Sequence, residues 1–580
     1  MNKWMTELFV WSLAGAGLAA GQAPNIVLMY VDDLDFDQVS VYDHRRFPCY
    51  TGAKETGNLK ELSPVTAYQN GRFLKTGEKS YHKNPTVLTP HVARLADEGV
   101  VLDRFYLTTS VCTPSRYSLL TGRYASRSSR LISETPPGAA PLLGWNSHMD
   151  PGENNLAKDL KAAGYKTGLI GKWHLNDYDI PEIDFSAGYG GHHIRNGTGK
   201  GLREFQLVGS YFQPTADYGD PAVQKEIGRI YDAMQKRVQT VSGFDVVDRL
   251  YYANYGELPI PKHMKAHNLE WQTEGALEFI DQNKDGPFFL YFSITAPHGQ
   301  YFEDWMEKDW RVTPAGMLSE KPKGMPPRES VLRRIQEAGL PLQNSMATWI
   351  DDSLGAVLGK LDDCGLADNT IVLFLSDHQS RGKLTVTEGH RAPGVIRWPG
   401  RIQPGTREGR IISNIDMLPS LLNAAGSAPA AGAVVDGQNF FPILGKNAVW
   451  RDSLLLETSY SRAVVSKDWK YIAHRPPQDV LDKMDADRIA AEKGDGRRHV
   501  GWSGRTTNPA SGMGVRFNAD QDFPCYFDSD QLYDLGNDVF EQHNVIARPE
   551  NRENVEWLKR RLNQHLENLP HAFGEFGRKK

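Results

Sequence analysis

A cysteine, a proline and an arginine stand close together in a segment that could support covalent chemistry. Residues 112–116 read Cys-Thr-Pro-Ser-Arg, and residues 117–123 continue with Tyr-Ser-Leu-Leu-Thr-Gly-Arg. Taken alone, Cys112 would more often be a buried structural thiol. A cysteine phosphatase, in which a thiolate attacks phosphorus, is disfavoured for two reasons. Pro114 removes a backbone N–H from the loop that would bind the phosphate. Arg116 also follows Cys112 too closely in the sequence to close such a loop.

Acidic and histidine side chains follow two short apolar runs. Asp32 and Asp33 come directly after residues 25–31, and Asp377 and His378 come soon after residues 371–375. One Asp-Asp pair alone more often ends a strand in water. A second such pair after another strand favours a site for a hard cation such as calcium, which takes carboxylate oxygens. The imidazole of His378 is a softer donor than an oxygen.

Two further apolar runs lead to basic or histidine residues. Residues 166–170 precede Gly-Lys-Trp-His, which contains Lys172 and His174, and residues 288–294 precede Ala-Pro-His, which ends at His298. In open α/β sheets, ligands bind outside the carboxyl ends of the strands. The four segments therefore predict a single site, although each lysine or histidine alone would more often be a surface or structural residue. A histidine at such a site suits general acid catalysis.

Together these motifs resemble those of the type I, formylglycine-dependent sulfatases, over about residues 24–400 and more weakly at 530–535. The resemblance implies that a maturation enzyme oxidises Cys112 to formylglycine, whose hydrate attacks sulfur, while Arg116 orients the modified side chain and balances its charge. It also implies a calcium ion bound by a set of five residues: Asp32, Asp33, the modified Cys112, Asp377 and His378.

The resemblance assigns roles to the remaining polar residues as well. Lys172 and Lys383 would hold sulfate oxygens, His174 would contact a formylglycine hydroxyl, and His298 would protonate the leaving oxygen. The sequence departs from the family pattern at two places. His378 stands where the family usually has asparagine, and the spacing from Asp377 to Lys383 is shorter than usual.

The pattern of apolar residues predicts the scaffold. Helical periodicity at residues 346–361 and 156–163 precedes two of the strands, and alternating helices and strands imply a largely parallel sheet covered on both faces. Residues 411–412 are expected to form a last core strand, followed by a helix at 417–424. The resemblance implies an alkaline-phosphatase-like α/β fold. We predict a catalytic domain at 22–449 and a smaller C-terminal α+β subdomain at 450–580.

The N-terminus predicts export to the periplasm or the medium. Lys3 precedes an apolar stretch at residues 8–20, and small residues before Gln22 resemble a cleavage site, so residues 1–21 read as a signal peptide. An uncleaved membrane anchor is the alternative, and we expect no stable anchor because no later segment is long and apolar enough. The net charge of −5 gives no sign of the excess of basic residues that binding of nucleic acid requires.

These features predict an exported sulfate-ester hydrolase that acts on a sulfated polysaccharide or oligosaccharide. The loop at residues 44–85 and the segment at 192–195 lie outside the core motifs, so we expect His193 and Arg195 to contact sugar. An arylsulfatase and a phosphonate or phosphodiester hydrolase that uses the same formylglycine remain alternatives. A non-catalytic sulfoglycan-binding relative would lack a core residue, and none is missing.

Overall fold

A computed structural model describes most of the chain. The described residues are 23–42, 87–136, 141–144, 146–175, 180, 182–183, 212, 216–298, 308–340, 345–379, 385, 389–446, 448–478, 482, 525, 528–538 and 541–577. The predicted signal peptide, the loop at 44–85 and the candidate residues His193, Arg195 and Lys383 lie outside these ranges. Within the ranges, no helix has the length and apolar character needed to cross a membrane.

In the described part of the chain, sixteen strands form one large sheet and three smaller ones. In chain order the strands are β1 (Asn25–Val31), β2 (Val100–Leu102), β3 (Phe105–Tyr106), β4 (Lys166–Lys172), β5 (Val246–Tyr251), β6 (Phe288–Ile294), β7 (Val312–Thr313), β8 (Gly316–Met317), β9 (Thr370–Ser376), β10 (Gly394–Arg397), β11 (Thr406–Glu408), β12 (Ile412–Ser413), β13 (Ser453–Thr458), β14 (Ser461–Ser466), β15 (Trp469–His474) and β16 (Asp530–Asp534).

The α-helices lie between these strands and after them. They are α1 (Pro90–Asp97), α2 (Cys112–Thr121), α3 (Ser129–Glu134), α4 (Leu156–Ala162), α5 (Pro221–Ser242), α6 (Leu269–Gln282), α7 (Arg328–Glu337), α8 (Ser345–Asp363), α9 (Met417–Ala424) and α10 (Arg552–Glu567). The helices predicted at 346–361, 156–163 and 417–424 are confirmed as α8, α4 and α9, within one or two residues of the expected ends.

The large sheet has eight strands in the order β11-β2-β10-β9-β1-β6-β4-β5. Strands β9, β1, β6, β4 and β5 run parallel, whereas β10 is antiparallel to both of its neighbours. Every residue of β1, β6 and β9 is buried, as expected for central strands of a sheet covered on both faces, which read as continuous apolar runs. The predicted largely parallel α/β architecture is therefore confirmed.

The expected core strand at residues 411–412 is wrong in its placement. Strand β12 pairs with β3 in a separate two-stranded sheet, with Ile412 opposite Phe105. The reason lies in the partner segment, because a turn at residues 103–104 ends β2 before β3 begins. Strand β12 therefore pairs with β3 beyond this turn and with no strand of the large sheet among the described residues.

The C-terminal part forms a four-stranded antiparallel sheet in the order β13-β14-β15-β16, with helix α10 packed against it. This confirms a smaller α+β subdomain, and the boundary at residue 450 stays a prediction. Its apolar core is separate from that of the large sheet but includes Tyr106, Tyr124 and Ile415 from the preceding part of the chain. Lys470 and Glu541 form a fully buried ion pair there, with Nζ 2.7 Å from Oε1.

Candidate active site

Four adjacent parallel strands deliver polar side chains to one edge of the large sheet. Asp32 and Asp33 follow β1, Asp377 and His378 follow β9, Lys172 ends β4, and the chain reaches His298 soon after β6. The strands β9, β1, β6 and β4 are neighbours, so their carboxyl ends meet. A hydrogen bond joins the ends of β1 and β9 directly, because the backbone N–H of Asp33 donates to Asp377 Oδ1 at 3.1 Å.

Cys112 is the first residue of α2, and every residue of this ten-residue helix is buried. Buried polar groups hold the helix in place: Asn414 Nδ2 donates to the Ser115 carbonyl oxygen at 3.0 Å, and the Ser115 hydroxyl lies 2.8 Å from the Tyr30 hydroxyl. The positive end of the helix dipole favours negative charge at the position of Cys112. This placement suits a nucleophile that carries developing negative charge.

Arg116 lies one turn after Cys112 and links the two acidic strand ends. Its guanidinium is 2.8 Å from Asp377 Oδ2 and 3.5 Å from Asp32 Oδ1, and it lies over the Tyr30 ring. The residue is fully buried. Burial disfavours the charged guanidinium, but the nearby acidic groups, of which Asp377 has the largest effect and Tyr291 and Asp32 follow, outweigh burial and raise the pKa of Arg116 above its ordinary value. Arg116 therefore acts as a permanent positive charge between the carboxylates.

The acidic strand ends offer several metal donors within a short distance. One donor atom each from Asp32, Cys112 and His378 lies within 4.8 Å of the others. His378 Nδ1 is 2.7 Å from Asp33 Oδ1, and its Nε2 is 3.6 Å from Asp377 Oδ1. Asp32 Oδ1 is buried and accepts no hydrogen bond from the described residues. A buried carboxylate oxygen that accepts no hydrogen bond is available to a cation. The set of carboxylate and imidazole ligands around it fits a divalent cation.

The two fully buried aspartates at the strand ends differ in pKa. Burial raises the pKa of Asp377 to about 6, and the nearby charge of Asp32 adds to the rise. For Asp32, burial acts in the same direction, but Lys172, His298 and Arg116 together hold its pKa well below its usual range. The crowding of carboxylates thus disfavours their simultaneous ionisation, and a bound cation would relieve it.

Lys172 and His174 bring positive charge and an imidazole to the same edge. Lys172 Nζ donates to Asp32 Oδ2 and to Asn254 Oδ1, each at 2.5 Å. Burial and the charge of Lys172 lower the pKa of His174 well below its ordinary value, so its imidazole is neutral. His174 and Asp33 both have positive φ, 58° and 62°. Left-handed backbone at residues other than glycine concentrates at functional sites.

His298 lies at the more exposed side of this group. Its side chain is 19% exposed, and Nε2 lies 3.5 Å from Asp33 Oδ2. The buried His267 stabilises the backbone of His298, because His267 Nε2 lies 3.1 Å from the His298 carbonyl oxygen. The structure thus brings together nine of the twelve residues predicted from the sequence, and the other three, Lys383, His193 and Arg195, lie outside the described residues.

Sequence reasoning missed three polar residues of the site, and all three follow β5. Asn254 contacts Lys172, Glu257 Oε2 lies 3.6 Å from His174 Nε2, and His267 supports His298. Asn254 and Glu257 could have been found by the signal that identified the other site residues, because both are polar residues that follow a strand of the parallel sheet. Strand β5 itself was not predicted, since Asp248 and Arg249 interrupt its apolar pattern.

Comparisons with known proteins agree with this geometry. The family model described as "Sulfatase" matches residues 24–427, and the model described as "N-sulphoglucosamine sulphohydrolase, C-terminal" matches residues 382–479. The N-acetylgalactosamine-6-O-sulfatase of Bacteroides thetaiotaomicron is 27% identical over 73% of this chain and 85% of its own length. The steryl-sulfatase of Rattus norvegicus is 26% identical over 64% of this chain and 68% of its own length.

A solved structure of a protein in complex with its substrate D-glucosamine-2-N,6-O-disulfate is similar in fold. Its TM-score is 0.52 at 17% identity, and the alignment covers 94% of this chain and 98% of that one. This likeness confirms the alkaline-phosphatase-like α/β fold that the motifs imply. Since the first family model spans more than half of the sequence, the chain belongs to the type I sulfatase family and is a sulfuric ester hydrolase.

Proposed function

We propose that the protein removes sulfate esters from a sulfated polysaccharide or oligosaccharide after export, with an aldehyde formed at Cys112 and a bound calcium ion. The observation that carries the proposal is the placement of Cys112 at the buried N-terminus of α2, within reach of Asp32 and His378. The relative from Bacteroides thetaiotaomicron is named for an N-acetylgalactosamine sulfate, and the similar solved structure holds a sulfated glucosamine. Both names favour a carbohydrate substrate.

Each group at the strand ends has a part in this reaction. Oxidised to an aldehyde and hydrated, residue 112 supplies an oxygen nucleophile. A calcium ion would be held by the carboxylates of Asp32, Asp33 and Asp377 and by His378, and it would supply positive charge beside residue 112. Arg116 pairs with Asp32 and Asp377 and helps to hold both carboxylates in place.

The remaining side chains handle charge and protons. Lys172 places an ammonium group at the end of β4, where it neutralises negative charge on sulfate oxygens as the S–O bond breaks. Lys383 has the same role by resemblance. By resemblance, His174 contacts a hydroxyl on residue 112 and accepts its proton. His298 donates a proton to the departing alcohol oxygen.

The experiment compares three ester classes under one set of conditions. Defined sulfated oligosaccharides, an aryl sulfate and a phosphonate monoester are incubated with purified protein, and released sulfate or phosphonate is measured. We expect sulfate release from at least one oligosaccharide with higher kcat/KM than from the aryl sulfate. Turnover of the phosphonate ester alone would contradict the proposal and favour the alternative hydrolase.

Two further measurements test the modification and the export. Peptide mass spectrometry of active enzyme should find the aldehyde at Cys112, and Cys112→Ser should be inactive in a host whose machinery accepts only cysteine. Cys364→Ser is the matched control, because Cys364 is a partly buried thiol at the end of α8. Only unmodified Cys112 in active enzyme would exclude the mechanism. The exported protein should begin at about residue 22.

A further inference from the structure

A single segment after β5 supports three of the site residues from outside the recognised motifs. This segment, residues 252–268, begins where the Tyr252 carbonyl oxygen accepts the backbone N–H of His174 at 2.9 Å. Near its other end, His267 contacts the carbonyl oxygen of His298. Asn254 and Glu257 lie between these contacts. The segment therefore holds the carboxyl ends of β4 and β6 in a common arrangement.

Asn254 and Glu257 form a short chain of hydrogen bonds that starts at Lys172. Lys172 Nζ donates to Asn254 Oδ1 at 2.5 Å, and Asn254 Nδ2 donates to Glu257 Oε1 at 2.8 Å. The backbone N–H of Asn254 also donates to Glu257 Oε2 at 3.2 Å. Each oxygen of Glu257 thus accepts a hydrogen bond from Asn254. A glutamine would turn its NH₂ group toward one of these donors, so only a carboxylate satisfies both.

The same carboxylate faces the imidazole of His174. Glu257 Oε2 lies 3.6 Å from His174 Nε2, the His174 side chain is 3% exposed, and the Glu257 side chain is 23% exposed. A carboxylate beside one ring nitrogen favours the tautomer that carries the proton on that nitrogen. The lone pair then lies on Nδ1. At 3.6 Å the carboxylate lies just beyond hydrogen-bond length, so it acts on the ring through its charge.

We propose that Glu257 is a positioning residue that orients His174 through Nε2 and, through Asn254, sets the position of the Lys172 ammonium group. The inference rests on the proposed function, since it assigns His174 the task of accepting a proton from residue 112. Glu257 touches neither the sulfate nor the nucleophile in this role. It keeps Nε2–H directed at Oε2, so that Nδ1 keeps its lone pair for the incoming proton.

Kinetics of matched variants provide the first test. Glu257→Gln should lower kcat about 10- to 100-fold on aryl sulfate and on sulfated oligosaccharide alike, with KM for the aryl sulfate changed less than about threefold. Glu278→Gln is the control, because Glu278 lies on α6, is 49% exposed and pairs with Arg249 away from the site residues. The control should match the wild type.

Three kinetic results would overturn the inference. Wild-type kcat in Glu257→Gln would show that the carboxylate does nothing for His174. A loss confined to the oligosaccharide would make Glu257 a sugar contact instead. A lower melting temperature with unchanged kcat per folded enzyme would reduce Glu257 to a structural residue of the segment 252–268.

A measurement without turnover separates the inference from the proposed function. Nitrogen-15 NMR of protein labelled at histidine, with the His174 signal assigned from His174→Gln, reports which ring nitrogen carries the proton. We expect Nε2–H in the wild type and a shift toward a tautomer mixture in Glu257→Ala. An Nδ1–H tautomer in the wild type would refute the positioning role, even if no sulfate ester were turned over.

Discussion

Replacing His298 with alanine should separate substrates by the stability of their leaving groups. The His298 side chain is 19% exposed, whereas Lys172, Arg116 and Asp377 are fully buried, so it is the group that a departing alcohol can approach. Its backbone is held by His267 and by its own N–H, which donates to the Thr295 carbonyl oxygen at 3.3 Å. Alanine therefore removes the imidazole and leaves the chain in place.

The expected loss in kcat/KM follows from the rate enhancement that a general acid provides. Proton donation in the transition state contributes about 10²- to 10⁴-fold, which corresponds to about 2.7–5.5 kcal/mol of barrier height. A sugar alkoxide is a poor leaving group and needs the whole contribution. A nitrophenolate leaves without a proton, so its sulfate ester should lose less than about tenfold in kcat/KM.

The assay is a series of sulfate esters whose leaving groups span a wide range of pKa. A plot of log kcat/KM against the leaving-group pKa should be steeper for His298→Ala than for the wild type. His543→Ala is the control, because the His543 side chain is 78% exposed and belongs to the C-terminal subdomain. Two parallel lines would refute the reasoning, since His298 would then contribute equally to all esters and could not be the proton donor.

Three other changes test the metal, the C-terminal core and the sugar contacts. Asp377→Asn should lose both bound divalent cation, measured by elemental analysis, and sulfatase activity; full metal content would contradict the site. Lys470→Met should cost about 3–5 kcal/mol of unfolding free energy because it strands the buried Glu541 carboxylate, and Lys470→Met with Glu541→Gln should recover most of it in denaturant titrations. Equal losses in both proteins would refute that account. His193→Ala or Arg195→Ala should weaken oligosaccharide turnover and spare aryl sulfate, and equal losses on both would exclude a sugar-binding role.

The sequence predicted the positions of the polar groups because each follows an apolar run. Residues 25–31 and 288–294 are strands with the expected ends, and the run at 371–375 lies within β9. The strand at 166–170 extends further than predicted and takes in Gly171 and Lys172. A short apolar run is sufficient to place a side chain at the carboxyl end of a parallel strand. The convergence on one edge then follows from the sheet itself.

The contacts between residues that follow neighbouring strands could not be predicted from the sequence. Asn254 and Glu257 reach Lys172 and His174 only because β5 is the neighbour of β4, and strand order is a property of the whole fold. The helix α5 was also missed. Its buried apolar residues recur at three- and four-residue steps, as at Val223, Ile227, Ile230 and Met234, so this signal was present in the sequence. The position of Asn254 and Glu257 after a strand was a local signal, but the residues they contact follow only from the order of the strands.

The charges around the strand ends are a physical reason for the proposed cation at a site that would bind an anionic ester. Asp32, Asp33, Asp377 and Glu257 supply four carboxylates, and Arg116 and Lys172 supply two positive charges, so these groups carry an excess of two negative charges when all are ionised. Such a site repels a sulfate monoester, which is itself an anion. A divalent cation would cancel this excess of negative charge. Metal binding and sulfate binding should therefore be coupled, because the carboxylates would hold the cation and its charge would offset their repulsion of the sulfate group.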